Sequence, residues 1–159
     1  DHDFAPYNFD RMTGLRYQID VSRPAMTDAE GSKHFDSPGR IRTLTLADGT
    51  PLRPEDEVLV VTNSYRAAGG GHMKAAQLAD EVISVKFSVR DAVARHISNN
   101  AAPMQPEVEP TFTFWPQHGT ELVFETGPGA LHHPSRLRSL GLEPLAVAEN
   151  GFQQFRMTL

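Results

Sequence analysis

Residues 40–71, RIRTLTLADGTPLRPEDEVLVVTNSYRAAGGG, combine strand, turn and loop signals in one segment. Apolar and polar residues alternate over its first seven positions, and this period of two predicts a half-buried β-strand. Asp48 and Gly49 then supply a turn. Residues 58–61, VLVV, form a continuous apolar run that predicts a strand buried on both faces. The stretch therefore predicts two strands that lead into a loop with three consecutive glycines.

The segments on either side of this stretch add further elements. Residues 15–21 alternate between apolar and polar residues, and VISVKF at 82–87 is rich in β-branched residues, so each predicts a strand. Ser88 with Asp91 three residues later resembles a capping box. It predicts a helix over residues 88–98, with an apolar stripe made of Val89, Val93 and Ile97.

The last third of the chain contains mostly short strands. Residues 101–110 contain three prolines and predict an extended connection. After it, the segments TFTFWP, TELVFET, PLAVAEN and FQQFRMTL each predict a strand, and PSRLRSLG predicts a helix that starts at Pro134 and ends at Gly141. The predicted fold class is mixed α+β, strand-rich, with one main helix near 88–98.

Composition narrows the class of function. The 159 residues are 39% hydrophobic and 22% charged, which is typical of a soluble globular domain. The net charge is −5 and no basic run stands out, so we expect neither a nucleic-acid polymer nor a membrane as partner. There is no cysteine, which excludes disulfides and thiolate nucleophiles. The chain does not begin with Met, and we expect it to be part of a longer polypeptide.

Tyr65 and the glycines that follow it are the main candidates for a binding site. A tyrosine offers a π-face for stacking, and Gly69, Gly70 and Gly71 can adopt positive φ and expose their amide N–H groups. We predict that Tyr65 ends a strand and enters a loop, where binding residues collect. The alternative is a buried tyrosine before a flexible connection. Other candidates are Asn63, Ser64 and Arg66; the Arg66 guanidinium either reaches phosphate or faces solvent.

Catalytic and metal-binding motifs are missing from the sequence. His72 has no partner histidine at a chelating spacing, and His132 and His133 are adjacent, which is poor geometry for one metal ion. There is no Asp-x-His, Gly-Asn-His-Glu, Gly-x-Ser-x-Gly or P-loop pattern. We therefore predict no catalytic and no metal-binding residue on this chain.

Several motifs resemble the C-terminal domain of the 5'-nucleotidase family. They are YNFDRMTGLRYQIDVSRP at residues 7–24, RI..L...G.P within 40–51 and TN.YRA.GG at 62–70, in the family's order and at compatible spacing. The resemblance covers residues 6–99 and is nearest to bacterial bifunctional 2',3'-cyclic-nucleotide 2'-phosphodiesterase/3'-nucleotidases. The tail segments FTFWP, FETGPGA and GFQQFRMTL are similar to the endings of longer bacterial members.

This resemblance implies a fold and a division of labour. The fold is a layered α/β sandwich, with a partial substrate-specificity domain at residues 1–100 and a β-rich extension at 101–159 packed on the same core. An N-terminal metallophosphoesterase domain of the same chain would hold two divalent metal ions and perform hydrolysis. The C-terminal domain would clamp the nucleoside between two aromatic rings, of which Tyr65 is the second.

The resemblance also implies a function, with one departure. Many 5'-nucleotidases carry an aspartate that contacts ribose hydroxyls in the region where this sequence has Gly71, and its loss suits a cyclic or 3'-phosphorylated ribose. We expect a periplasmic enzyme acting on 2',3'-cyclic nucleotides and 3'-nucleotides, with the 159-residue chain inactive by itself. The alternatives are a carbohydrate or cell-wall binding module that uses Tyr65 and Trp115, and a structural domain with Tyr65 buried.

Overall fold

Two three-stranded sheets hold the regular β-structure of this computed structural model, which describes residues 9–28, 30–33, 36–100, 102–105 and 109–159. The first sheet has the order β2-β1-β3 and the second has the order β4-β6-β5. The strands are β1 (Leu15–Ile19), β2 (Ile41–Leu46), β3 (Phe112–Phe114), β4 (Glu121–Thr126), β5 (Glu143–Val147) and β6 (Gln153–Thr158). These strands confirm six of the eight strand predictions.

The described residues also form three short α-helices: α1 (Ser64–Ala67), α2 (Val89–Ser98) and α3 (Pro134–Ser139). The Ser88 hydroxyl accepts a hydrogen bond from the Asp91 amide at 3.1 Å, so the predicted start of α2 is confirmed. Single 3₁₀ segments lie at Gly70–His72, Lys74–Leu78 and Pro128–His132. The predicted α+β class is confirmed. In the part of the chain that is described, no helix has the length and apolar character required to cross a bilayer.

Strand β3 joins the last third of the chain to the first sheet. It pairs in parallel with β1, and Tyr17 lies opposite Phe112. Their rings stack with centroids 5.8 Å apart, and Phe9 and Phe114 each lie 5.7 Å from the Phe112 ring. These aromatic contacts, together with the backbone ladder, attach residues from both ends of the sequence to one sheet.

Asp20 is a buried carboxylate at the end of β1, with 2% of its surface exposed. The Ser22 hydroxyl donates to its Oδ1 at 2.6 Å, and Gln117 Nε2 donates to the same oxygen at 3.0 Å. Arg42 Nε lies 3.0 Å from Oδ2, and Arg23 Nε lies 3.5 Å from it. The Ser22 hydrogen bond and the two guanidinium groups lower the pKa of Asp20 below its ordinary value of 3.8, although desolvation opposes them. The carboxylate therefore ties β1, β2 and the segment after β3 together.

The second sheet contains the most deeply buried apolar side chain of the described residues. Phe155 on β6 is fully buried, and its ring stacks on Phe124 of β4 with centroids 6.0 Å apart. Arg156 on β6 bridges both neighbouring strands: its guanidinium lies 3.3 Å from a Glu121 oxygen and 2.5 Å from a Glu143 oxygen. Each strand of this sheet thus has both backbone and side-chain partners.

Two strand predictions are wrong. Residues 58–61 and 82–87 form no strand, and both are exposed; Leu59 is 86% exposed and Val61 is 91% exposed. The apolar pattern predicted a strand at both segments, buried on both faces at residues 58–61, but no described strand lies beside either of them. A sequence pattern indicates what a segment can pair with, and pairing also requires a neighbour.

Candidate functional site: Tyr65 and the glycine loop

Tyr65 lies in the four-residue helix α1, and this corrects the prediction that it ends a strand. The Asn63 side chain caps the helix, because its Oδ1 accepts a hydrogen bond from the Arg66 amide at 2.9 Å. The amide of Ala67 donates to the Asn63 carbonyl at 3.0 Å, and the Ala68 amide donates to the Ser64 carbonyl at 3.0 Å. This cap fixes the backbone that carries the Tyr65 ring.

The three glycines after α1 meet two different requirements. Gly69 has φ of 85° and Gly71 has φ of 67°. These values lie in the left-handed region, which residues other than glycine adopt only at a cost in free energy. Gly70 instead lies against the Tyr65 ring: a Cβ at this position would be 2.5–2.6 Å from ring atoms Cδ2, Cε2 and Cζ. Since Cε2 is bonded to both other atoms, a point nearly equidistant from all three lies over the ring face. The loop therefore packs backbone on one face of Tyr65.

Arg66 links this loop to the N-terminal segment. Its Nη1 donates to the Gly70 carbonyl at 2.9 Å, and its Nη2 lies 2.8 Å from Asp10 Oδ1. The guanidinium carbon is 5.4 Å from the centroid of the Tyr65 ring, within range of a cation–π contact. The Arg66 side chain is 16% exposed. The sequence allows Arg66 to reach phosphate or to face solvent, and the structure adds a third role in holding the glycine loop.

A turn from the polar segment before β2 supports the loop from another side. Gly31 has φ of 74°, and a Cβ at this position would overlap the carbonyl oxygen of His72. His72 itself has a positive φ of 62°, which is uncommon for a residue other than glycine. Lys74 Nζ lies 3.4 Å from the Ser32 hydroxyl. No sequence signal identified Gly31, because a glycine in a polar loop is first a turn residue.

The outer surface of Tyr65 is accessible. The residue is 60% exposed, although one ring face lies against Gly70. The Tyr65 ring is exposed, lies against Gly70 on one face and is carried by helix α1. Such a ring can stack on a flat ligand, and its hydroxyl can donate or accept a hydrogen bond. The alternative in which Tyr65 is buried before a flexible connection does not agree with this exposure.

The other candidates from the sequence lie outside α1 and the glycine loop, or already contact another side chain. Trp115 follows β3 and is partly buried, and the guanidinium of Arg42 lies over its ring, 4.4 Å from the centroid. Within the described residues, no three His, Asp or Glu side chains come close enough together to hold a metal ion. The candidate site therefore consists of Tyr65, its Asn63 cap and the glycine loop.

Comparison with known proteins identifies the family of this chain. The family model of the 5'-nucleotidase, C-terminal domain, matches residues 2–78, which include Tyr65 and the glycine loop. Over these residues the chain belongs to the 5'-nucleotidase C-terminal domain family. No solved structure matches the chain at a significant level.

Three relatives are similar in sequence to most of this chain. The 2',3'-cyclic-nucleotide 2'-phosphodiesterase/3'-nucleotidase of Salmonella typhimurium is 34% identical over 167 residues, and that of Yersinia enterocolitica is 30% identical over 166 residues. Each alignment covers 98% of this chain and 25% of the relative. The trifunctional nucleotide phosphoesterase protein YfkN of Bacillus subtilis is 32% identical over 129 residues, 79% of this chain and 8% of that protein. This chain thus spans a quarter or less of the relatives' length.

Proposed function

We propose that this chain is the nucleotide-binding, substrate-specificity domain of a metallophosphoesterase that hydrolyses 2',3'-cyclic nucleotides and 3'-nucleotides. The observation that carries the proposal is the exposed Tyr65 ring, backed by Gly70 and anchored by the Asn63 cap. Stacking of a base on an aromatic ring contributes about 1–3 kcal/mol. The relatives are phosphodiesterases and nucleotidases by name, which supports a nucleobase as the flat ligand.

The neighbours of Tyr65 have a positioning role in this proposal. Asn63 fixes the helix that carries the ring, and Arg66 holds the Gly70 carbonyl beneath it. Gly69 and Gly71 turn the chain so that Gly70 can approach the ring closely. A ring held in place loses little conformational freedom when a base binds, so more of the stacking energy appears as affinity.

Hydrolysis is assigned to polypeptide outside residues 1–159. Two divalent metal ions are proposed to lie in an N-terminal metallophosphoesterase domain; in support, no three His, Asp or Glu side chains of the described residues come close enough together to hold a metal ion. The role of this chain is then to position the nucleotide for attack, a proximity effect. A periplasmic location and a part in nucleotide catabolism complete the proposal.

Replacement of Tyr65 in the complete enzyme tests the proposal. Tyr65→Ala removes the ring, and we expect the KM for a 2',3'-cyclic nucleotide to rise about 5- to 150-fold, the equivalent of 1–3 kcal/mol of stacking. Tyr65→Phe keeps the ring and is the matched control, with KM within about twofold of the wild type. Steady-state kinetics on both folded variants make the measurement.

Two results contradict the proposal. An unchanged KM in a folded Tyr65→Ala enzyme means that the ring has a structural role only. Metal-dependent phosphatase activity of the purified 159-residue chain means that the catalytic groups lie within it, and the division between the two domains is then wrong.

A further inference from the structure

One face of the first sheet carries polar side chains from all three strands. Side chains alternate between the two faces of a strand, so Arg16 and Gln18 of β1 lie on the face opposite to the Tyr17 ring. The register places Arg16 beside Thr45 of β2 and Gln18 beside Thr113 of β3. Cationic, amide and hydroxyl groups therefore lie together on this face.

A groove with a volume of about 370 Å³ lies on this sheet, lined by residues 16–18, 43, 45 and 110–113. We call it the polar groove. Its volume is in the range of sites that bind small molecules. None of its lining residues belongs to α1 or to the glycine loop, so it is separate from the candidate site at Tyr65.

The polar groove offers hydrogen-bond donors and one positive charge, and none of its lining residues is Asp or Glu. Arg16 is exposed and forms no ion pair with any described residue. The Thr43 hydroxyl donates to Gln18 Oε1 at 3.1 Å, so the Gln18 amide nitrogen remains as a donor. A lining of this kind favours a ligand with several anionic oxygens.

Thr111 gives independent support for a ligand in the polar groove. The residue is 2% exposed, and its hydroxyl is buried without a hydrogen-bond partner in the described part of the chain. Nearly all buried hydroxyls in proteins are paired, because an unpaired one destabilises the fold. A ligand oxygen in the groove would supply the missing partner.

We propose that the polar groove binds phosphate, either free or carried by a small molecule. The Arg16 guanidinium pairs with two phosphate oxygens through parallel hydrogen bonds. Gln18 Nε2 and the hydroxyls of Thr111 and Thr113 donate to the other oxygens. A carboxylate has two oxygens and is satisfied by one guanidinium, whereas phosphate can use donors from three strands.

Asp20 does not oppose an anion in this groove, although it follows Gln18 by two residues. Its carboxylate already lies 3.0 Å from Arg42 Nε and 3.5 Å from Arg23 Nε. These three groups together carry one positive charge, and Arg16 adds another. This part of the sheet is therefore positive on a chain with a net charge of −5, and a positive region attracts anions.

Methyl NMR of the threonines in the complete protein tests the proposal independently of Tyr65. Inorganic phosphate replaces chloride at constant ionic strength, and we expect the methyl resonances of Thr111 and Thr113 to shift and saturate. Those of Thr126 on β4, outside the groove, should stay unchanged. Acetate should bind at least about tenfold more weakly than phosphate. An absent response at Thr111 and Thr113, or equal affinity for acetate, would overturn the proposal.

Ribose 5-phosphate distinguishes the two sources of the phosphate group in the same experiment. Tighter binding than that of inorganic phosphate would support a phosphorylated small molecule as the ligand. Binding that is equal or weaker would support free phosphate, because the ribose then adds no favourable contact.

Substitution of the groove's cation sharpens the test. Arg16→Gln should weaken phosphate binding by about 10- to 100-fold, because it removes a charge-assisted contact. Arg90→Gln is the matched control: it removes the same charge from helix α2, outside the groove, and should change the affinity by less than about twofold. Equal effects of the two variants would contradict the proposal.

Thr111→Val separates a binding role from a structural one. The variant removes the unpaired hydroxyl, so we expect phosphate affinity to fall about fivefold while Tm stays unchanged or rises. A lower Tm with unchanged affinity would mean that the hydroxyl has a structural role only, and would overturn its part in the site.

Discussion

The sheet β4-β6-β5 and the segment from residue 57 to residue 98 have similar sequence patterns and different outcomes. In the sheet, each strand finds its neighbour within 38 residues of sequence, Phe155 is fully buried and Arg156 bridges both outer strands. In the segment, apolar side chains remain open to water. A strand-forming pattern therefore becomes a strand only where a partner strand is present.

The largest expected effect comes from deleting a phenyl ring in each region. Phe155→Ala should lower the free energy of unfolding of the 159-residue chain by about 3–5 kcal/mol, because it leaves a cavity in a fully buried site. Phe87→Ala removes a phenyl ring from a site that is 55% exposed. It should change the free energy of unfolding by about 0.5 kcal/mol or less. Urea denaturation gives both values. Similar losses for the two variants would remove the distinction between the regions.

The next effect concerns the buried carboxylate that ties the first sheet to the rest of the chain. The pKa of Asp20 lies below 3.8, so its stabilising contribution is complete above that pH and is lost as the pH falls through the lower, folded-state pKa. Asp20→Asn should lower the free energy of unfolding at pH 7. It should also make this free energy depend less on pH in the acid range. Thermal unfolding from pH 2 to pH 7 measures both.

Asp48→Asn is the control for this experiment. The pKa of Asp48 is also lowered, first by a hydrogen bond from the Thr50 amide, but Asp48 lies in an exposed turn. We expect a smaller loss of stability at pH 7 than for Asp20→Asn, because among the described residues the Asp48 carboxylate bonds within its own turn, to Thr50. A loss as large as that of Asp20→Asn would mean that the Asp20 contacts do not hold the first sheet together.

The smallest of these substitutions adds a single methyl group beneath Tyr65. Gly70→Ala places a Cβ about 2.5 Å from the ring, so the ring must move, and affinity for a nucleotide should fall about tenfold while stability changes by less than about 1 kcal/mol. Gly129→Ala is the matched control, since a Cβ there meets nothing within 4 Å. Equal affinity of the two variants would show that the Gly70 contact does not position the ring.

Much of the fold follows from local patterns. Short apolar patterns, two of them alternating, located six strands, and the Ser88 cap located the start of α2, because these signals depend on neighbouring residues only. The parallel pairing of β1 with β3 joins Tyr17 to Phe112, and no local pattern predicts a contact over such a distance in sequence. The fate of residues 58–61 depends equally on a distant partner, and this is why the pattern misled.

The sequence identified the residues of the candidate site, but it did not predict the contacts that hold them together. Asn63 is a residue type favoured at helix N-termini, so a signal for α1 was present, but a helix of four residues has no apolar period to support it. The contact of Gly70 with the ring and that of Gly31 with His72 depend on tertiary folding. Glycine has no side chain whose chemistry could indicate either contact.

The central claim is that the Tyr65 ring stacks on a nucleobase, and NMR of the tyrosine rings tests it most directly. The chain has three tyrosines, so selective ring labelling gives few resonances, and Tyr17, stacked on Phe112, is the internal control. On titration of the complete protein with a 3'-nucleotide, the account predicts that the Tyr65 ring resonances shift upfield and saturate while those of Tyr17 stay unchanged. Unchanged Tyr65 resonances at saturating nucleotide would contradict it.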